Sequence, residues 1–249
     1  MTKIYEKSEL GFALGWIGIY AIGGGIFEEI SRQIGIESLA PAMFFATLCT
    51  ILYVWITKNN LAEKFGLCKP VTAAKSFVWF VPLILITLSN IRFGIGLNYT
   101  PLGTVCFIIK MLCVGFLEEL IFRGLLFKAI CRDSVKFAIV VSSITFGIGH
   151  IINLFNGSGM ELWENIVQII GAVSFGFMYV ILFHRGGSLI PCILSHGLYN
   201  SMSAFSVSGS IKAEIIYSLI ICILVIAYTL VLTRTLPIKK TALADKGIK

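Results

Sequence analysis

Glu118, Glu119 and Arg123 fall within six positions inside a long apolar run, Val105 to Ile130. No other feature constrains the chain as strongly. A run of that length and apolarity is a membrane-crossing helix, and a charged side chain at the centre of a bilayer costs at least ~2.5–3.5 kcal/mol on insertion scales. Ionisable residues persist there only when other parts of the chain receive them. The stretch Glu118-Glu119-Leu120-Ile121-Phe122-Arg123 is therefore a functional-site candidate whose partners must be sought on other spans.

The rest of the composition agrees with a membrane setting. Charged residues make up 13% of the 249 positions and hydrophobic ones 57%, whereas soluble domains carry about 25% charged residues. Apolar runs recur at roughly 10–27, 39–57, 77–91, 104–130, 137–155, 163–183, 188–207 and 213–233, lengths that suit a hydrocarbon core of ~30 Å. The expected fold is an all-α polytopic membrane protein of about eight transmembrane helices, a single transmembrane domain over residues 1–249. No internal repeat or second domain is visible. The first run lacks a small-residue cleavage site and reads as an uncleaved span rather than a signal peptide.

Basic residues alternate between rich and poor connections. Lys3 and Lys7, then Lys58, Lys64, Lys69 and Lys75, then Lys128, Arg132 and Lys136, then Arg185, and finally Arg234 with the tail lysines occupy alternate segments. The intervening segments hold only Arg32, Arg92 and Lys212. The positive-inside rule places both termini in the cytoplasm. The net charge of +7 is explained by these flanks and implies no nucleic acid. Residues 61–75 read as a short amphipathic surface piece, 156–162 as an extracytoplasmic turn, and 237–249 as a disordered cytoplasmic tail. The seven cysteines show no CxxC spacing, so neither a disulfide framework nor a cysteine zinc site is expected.

Two of the three histidines lie deep in spans. His150 closes Phe146-Gly147-Ile148-Gly149-His150, and His196 opens His196-Gly197-Leu198-Tyr199-Asn200; His184, beside Arg185 at a span end, reads as solvated. Positions four apart share a helical face, which groups Glu119 with Arg123 as an ion pair and His196 with Asn200. Glu118 points about 100° away from Glu119. Counted from the flanking charges Arg132, Lys136 and Arg185, the residues Glu118, His150 and His196 reach similar depths, about 21, 21 and 16 Å of helix. One shared cavity, opening toward the cytoplasm, accounts for them together. Taken singly, an intramembrane His is often only a helix–helix hydrogen bonder and a Glu–Arg pair a structural staple. The coincidence of five polar residues at one depth favours a site. Glu28-Glu29-Ile30-Ser31-Arg32 resembles the central stretch but is one residue shorter before the arginine. It reads as an interfacial cap, with a contribution to the cavity left open.

A carboxylate and an imidazole aimed at one point can hold and deprotonate water, which is worth about 10²–10⁴-fold, while a His and an Asn can donate to an oxyanion. Glu118 is the candidate base, His150 the water-orienting partner, and His196 with Asn200 the oxyanion donors. Glu119 and Arg123 would fix the Glu118 helix and its protonation. No H-E-x-x-H, G-x-S-x-G or phosphate-binding loop occurs, although Glu118, His150 and His196 form a chemically sound zinc ligand set.

These motifs, Glu118-Glu119-x-x-x-Arg123, Phe146-x-x-x-His150 and His196-x-x-x-Asn200, resemble those of the CAAX protease and bacteriocin-processing family (CPBP or Abi, type II CAAX prenyl endopeptidase-like). The resemblance covers about residues 100–205. It implies an eight-helix intramembrane endopeptidase with a glutamate-activated water and no cofactor. Glu118 and His150 would then be catalytic, and His196 and Asn200 oxyanion-stabilising, with Glu119, Arg123 and Phe146 in support. Earlier descriptions of the family as metalloproteases keep a zinc-dependent variant open. The implied setting is a bacterial plasma membrane, with a peptide or membrane-protein substrate, and bacteriocin or signal-peptide maturation or immunity as the role. The competing readings are a non-catalytic membrane partner that binds a peptide or another membrane protein, and a proton-coupled transporter, which would more often show repeated halves.

Overall fold

The computed structural model describes residues 1–70, 80–155 and 160–236. Residues 71–75 of the expected surface piece, the first part of the expected 156–162 turn and the 237–249 tail lie outside the described residues. A short helix α1 (Thr2–Lys7) leads into α2 (Glu9–Ile34) and α3 (Leu39–Lys58). After the undescribed segment, α4 (Val81–Leu88) ends in a 3₁₀ turn, Ser89–Ile91. The central rod begins as α5 (Pro101–Glu118), becomes a π-helix over Glu119–Phe127 and closes with the single turn α6 (Lys128–Ile130). Next come α7 (Val135–Gly149) with a 3₁₀ extension His150–Leu154, then α8 (Leu162–Gly186), α9 (Ile190–Ser201) and α10 (Ile211–Thr235). Among the described residues, extended pairing is limited to one antiparallel bridge, Ile95 with Ser206.

Local sequence sets these boundaries. The side chains of Ser8, Thr100, Ser134 and Ser210 accept from the first-turn amides of α2, α5, α7 and α10, and Pro101 starts α5 where no intrahelical amide bond is lost. Glu161 and Glu164 form a capping box on α8. Gly35 (φ 76°) and Gly187 (φ 70°) end α2 and α8 in the left-handed conformation that glycine adopts without strain.

Five helices are long and apolar enough to cross a membrane: α2, α3, α7 with its extension, α8 and α10. The remaining expected spans are also helical but do not meet that measure as single apolar helices. Val81–Ile91 is a shorter apolar helix, α9 has 12 residues, and the central rod is interrupted by buried charge and the π-helix. The short α4 and α9 are shielded by packing, α4 against α9 and α9 against α5. In the expected surface piece, residues 62–66 fold as turns, and Phe65 is drawn into the core at 1% exposure. His184 is not solvated as expected; it is half-buried with its ring edge-on to Phe127 at 5.8 Å.

Successive helices alternate in direction, which gives the bundle two distinct ends. At the basic end Glu9 receives Lys64 at 2.7 Å and Arg132 at 2.8 Å, and Lys64 also bonds the Tyr5 hydroxyl. Tyr5, Phe12, Trp16, Trp55 and Phe65 pack there as one aromatic cluster with Leu117 and Ile121. At the opposite end Glu37 accepts from Thr100 and Asn98 donates to the carbonyls of Ser203 and Ser206.

Candidate active site

The site forms where the central rod meets α9. A Cβ added to Gly115 would stand 2.6 Å from the Gly197 amide nitrogen and 2.7 Å from its Cα. The two backbones therefore touch, an approach that only small residues permit in a membrane bundle. One turn further along the rod, Glu118 and Glu119 face His196. The His196 ring donates from Nδ1 to Glu119 Oε1 at 2.8 Å, and its Nε2 lies 3.4 Å from Glu118 Oε2. Glu119 Oε1 also accepts from Arg123 Nη1 at 3.1 Å, and both residues of that pair are fully buried.

Arg123 explains a residue that spacing alone could only mark as supporting. Its Nε and Nη2 have no nitrogen or oxygen partner, but the guanidinium carbon lies 4.1 Å from the Phe146 ring centroid and 5.7 Å from that of Tyr179. The negative ring faces take up the remaining cationic surface. Phe146 also stands edge-on to His150 at 5.1 Å and to His196 at 5.8 Å. It is thus the wedge that spaces the two imidazoles.

His150 sits where α7 tightens into 3₁₀ helix. Its Nδ1 is 3.0 Å from the Phe146 carbonyl. A carbonyl can only accept, so Nδ1 carries a proton, and Nε2 is the ring nitrogen left for water, presenting a lone pair whenever the ring is neutral. The backbone of His150 is held in turn by Asn165 Nδ2, which donates to its carbonyl at 2.8 Å. Tyr20 of α2 donates to Glu118 Oε1 at 2.6 Å. That leaves Glu118 oriented by a hydroxyl on one side and an imidazole on the other.

Two cavities meet at this cluster. The larger, about 690 Å³, is lined by Glu118, His150 and Asn200. The smaller, about 240 Å³, is lined by His196, Asn200, His150 and Tyr179. Phe146, His150, Gln168 and Asn200 border both. All four residues expected to be catalytic therefore line one or other of these adjoining spaces. The larger cavity runs along α2 from Ile17 to Glu28 and along α5 from Glu118 back to Phe107, away from the basic end. The aromatic cluster of Tyr5, Phe12, Trp16, Trp55 and Phe65 fills the space between Glu118 and the basic end.

Some contributors were not singled out from sequence. Tyr20 supports Glu118, and Tyr179 stacks on His196 at 5.5 Å and 16°. Lys110, a further charge within the same apolar run, binds Glu28 at 2.7 Å in the wall of the larger cavity. Glu28 therefore feeds the cavity rather than capping the helix at the interface, while its neighbour Glu29 pairs with exposed Arg32. A second charge in an apolar run was a readable signal for Lys110. Nothing local marks Tyr20 or Tyr179, whose roles depend on which helices adjoin.

Among the described residues no three His, Cys, Asp or Glu side chains gather as metal ligands. Both ring nitrogens of His196 face glutamates, and the His150 Nδ1–H is committed to a carbonyl.

No curated protein and no solved structure matches the chain. The first 99 residues, which supply Tyr20 and Glu28, lie outside the segment matched below. Residues 100–202, which carry Glu118, Glu119, Arg123, Phe146, His150, His196 and Asn200, match the family model described as Type II CAAX prenyl endopeptidase Rce1-like.

Proposed function

We propose that the protein is an intramembrane glutamic endopeptidase that cleaves a membrane-associated peptide or protein. The observation that carries this reading is the convergence of Glu118, His150 and Asn200 on one cavity, with His196 3.4 Å from Glu118. Water held between Glu118 and the His150 Nε2 lone pair gives its proton to the Glu118 carboxylate as its oxygen attacks the substrate carbonyl. The tetrahedral oxyanion accepts from the Asn200 amide and from His196 Nε2–H, the latter available when His196 carries both ring protons against Glu119. Collapse of the intermediate breaks the C–N bond, and the proton held by Glu118 leaves on the amine. Glu119 and Arg123 act through His196 and the rod rather than on substrate. No step is routed through a metal.

The multi-pass fold and the match to a membrane protease family favour a substrate embedded in or anchored to the bilayer. We place the protein in a bacterial plasma membrane with both termini cytoplasmic, acting in bacteriocin or signal-peptide maturation or immunity. The test compares membrane and secreted peptides, by mass spectrometry, from cells carrying wild type or Glu118→Gln at equal abundance. Peptides that appear only with wild type are expected; identical profiles would remove Glu118 from the chemistry and turn the reading to a non-catalytic binding partner.

A further inference from the structure

The walls of the larger cavity carry two polar cross-links between α2 and α5. Tyr20 bonds Glu118, and Glu28 bonds Lys110. Each partner is displaced by eight positions, forward on α2 and backward on α5, as antiparallel helices require. At 1.5 Å per residue the second link stands about 12 Å from the first. Between them α2 presents Ala21, Gly24 and Gly25, and a Cβ added to Gly25 would meet no atom within 4 Å. The space beside Gly25 is thus open, while Phe45 closes over Gly24.

The outer link is asymmetric. The Lys110 side chain is 9% exposed and lies 5.0 Å from the Phe107 ring centroid, whereas the Glu28 side chain is 33% exposed. Lys110 is held against the wall, and Glu28 is the member turned to the cavity. It uses Oε1 for Lys110, and Oε2 can accept a further donor. Glu28 is the carboxylate at the far end of the cavity wall from Glu118, placed to receive a cationic group. Three to four extended residues span about 12 Å.

We infer that Glu28, seated on Lys110, is a specificity subsite for a cationic group of the substrate, a Lys or Arg side chain three or four residues from the scissile bond. The inference rests on reading the larger cavity as the substrate site. Glu28 binds the cation by charge-assisted hydrogen bonding in a partly desolvated space, while Lys110 fixes the carboxylate.

The test uses full-length Glu118→Gln protein in nanodiscs, so that nothing is turned over. The probes are fluorescent apolar decapeptides, one carrying a single Lys and its counterpart carrying Leu at that position. About 10–100-fold tighter binding of the Lys peptide is expected, the scale of one hydrogen bond to a charged group. Adding Glu28→Gln, which keeps an acceptor for Lys110, should abolish that difference and leave Leu-peptide binding unchanged. The swap Glu28→Lys with Lys110→Glu should transfer the preference to a Glu peptide. Equal binding of the Lys and Leu peptides, or a preference that survives Glu28→Gln, would overturn the inference. The proteolytic reading fails separately: a Glu28-dependent preference in binding, with no Glu118-dependent cleavage by wild type, would keep the subsite and reject the peptidase.

Discussion

Glu119 and His196 are joined across the interface of the rod and α9 by a 2.8 Å Nδ1–H···Oε1 hydrogen bond, and the same oxygen takes Arg123 from within its own helix. A single carboxylate therefore neutralises a fully buried guanidinium and fixes the orientation of an imidazole that lines the site. Removing the charge and removing the side chain should have different consequences. Glu119→Gln keeps the shape and should lower cleavage about 10–100-fold, the usual cost of losing an orienting partner behind a reacting group. Glu119→Ala removes the hydrogen-bond acceptor as well as the counter-charge, leaving Arg123 buried with neither, costs about 3–5 kcal/mol and should prevent accumulation in the membrane. Immunoblots alongside peptide cleavage distinguish the two.

Tyr20→Phe isolates the hydroxyl that Glu118 receives. The ring stays stacked on Phe45 at 5.2 Å, so folding should be preserved. Loss of a hydrogen bond to a charged group, about 1.5–3 kcal/mol, should reduce kcat by about 10–100-fold with little change in KM. A KM effect alone would make Tyr20 a wall residue.

Gly115→Ala probes how the rod and α9 meet. The added methyl would lie 2.6 Å from a backbone nitrogen, which cannot swing aside as a side chain can. The helices must separate, at a cost of about 1–3 kcal/mol for overpacking. The expected outcome is a lowered Tm in detergent together with a loss of cleavage larger than the Tm shift explains, since His196 moves away from Glu118 and Glu119. An unchanged Tm would show that the interface relaxes without strain.

Sequence made the polar cluster legible because buried charge in an apolar run has few innocent explanations. Depth counting from Arg132, Lys136 and Arg185 placed Glu118, His150 and His196 at one level, and the structure sets them around adjoining cavities. The helix order was legible for the same reason, since apolar length and capping residues are local properties. What stayed hidden depends on which helices touch. The Glu28–Lys110 pair requires α2 and α5 to lie side by side in one register, and no spacing within either helix encodes that. The π-helix over Glu119–Phe127 was likewise unreadable, because its residues suit an α-helix and it forms through packing in which all nine are buried. The direction of the cavity along the bundle depends on where Tyr5, Phe12 and Trp16 pack, and aromatic residues in a first span suit many placements.

The cavity and the charge pattern together predict which side of the membrane reaches the site. By the positive-inside rule the end bearing Lys58, Lys64 and Arg132 is cytoplasmic, while the larger cavity extends from Glu118 toward the other end. Substrate should then enter from the extracytoplasmic half of the bilayer. Gly25→Cys reports this, because its side chain would project into open space beside the cavity. In intact cells a membrane-impermeant thiol reagent should label Gly25→Cys above the background of the seven native cysteines and block cleavage. Lys58→Cys, exposed at the basic end, should be labelled only after the membrane is opened. The reverse pattern would mean that charge bias does not set the orientation of this chain, and that the active site faces the cytoplasm through the cavity the helices form.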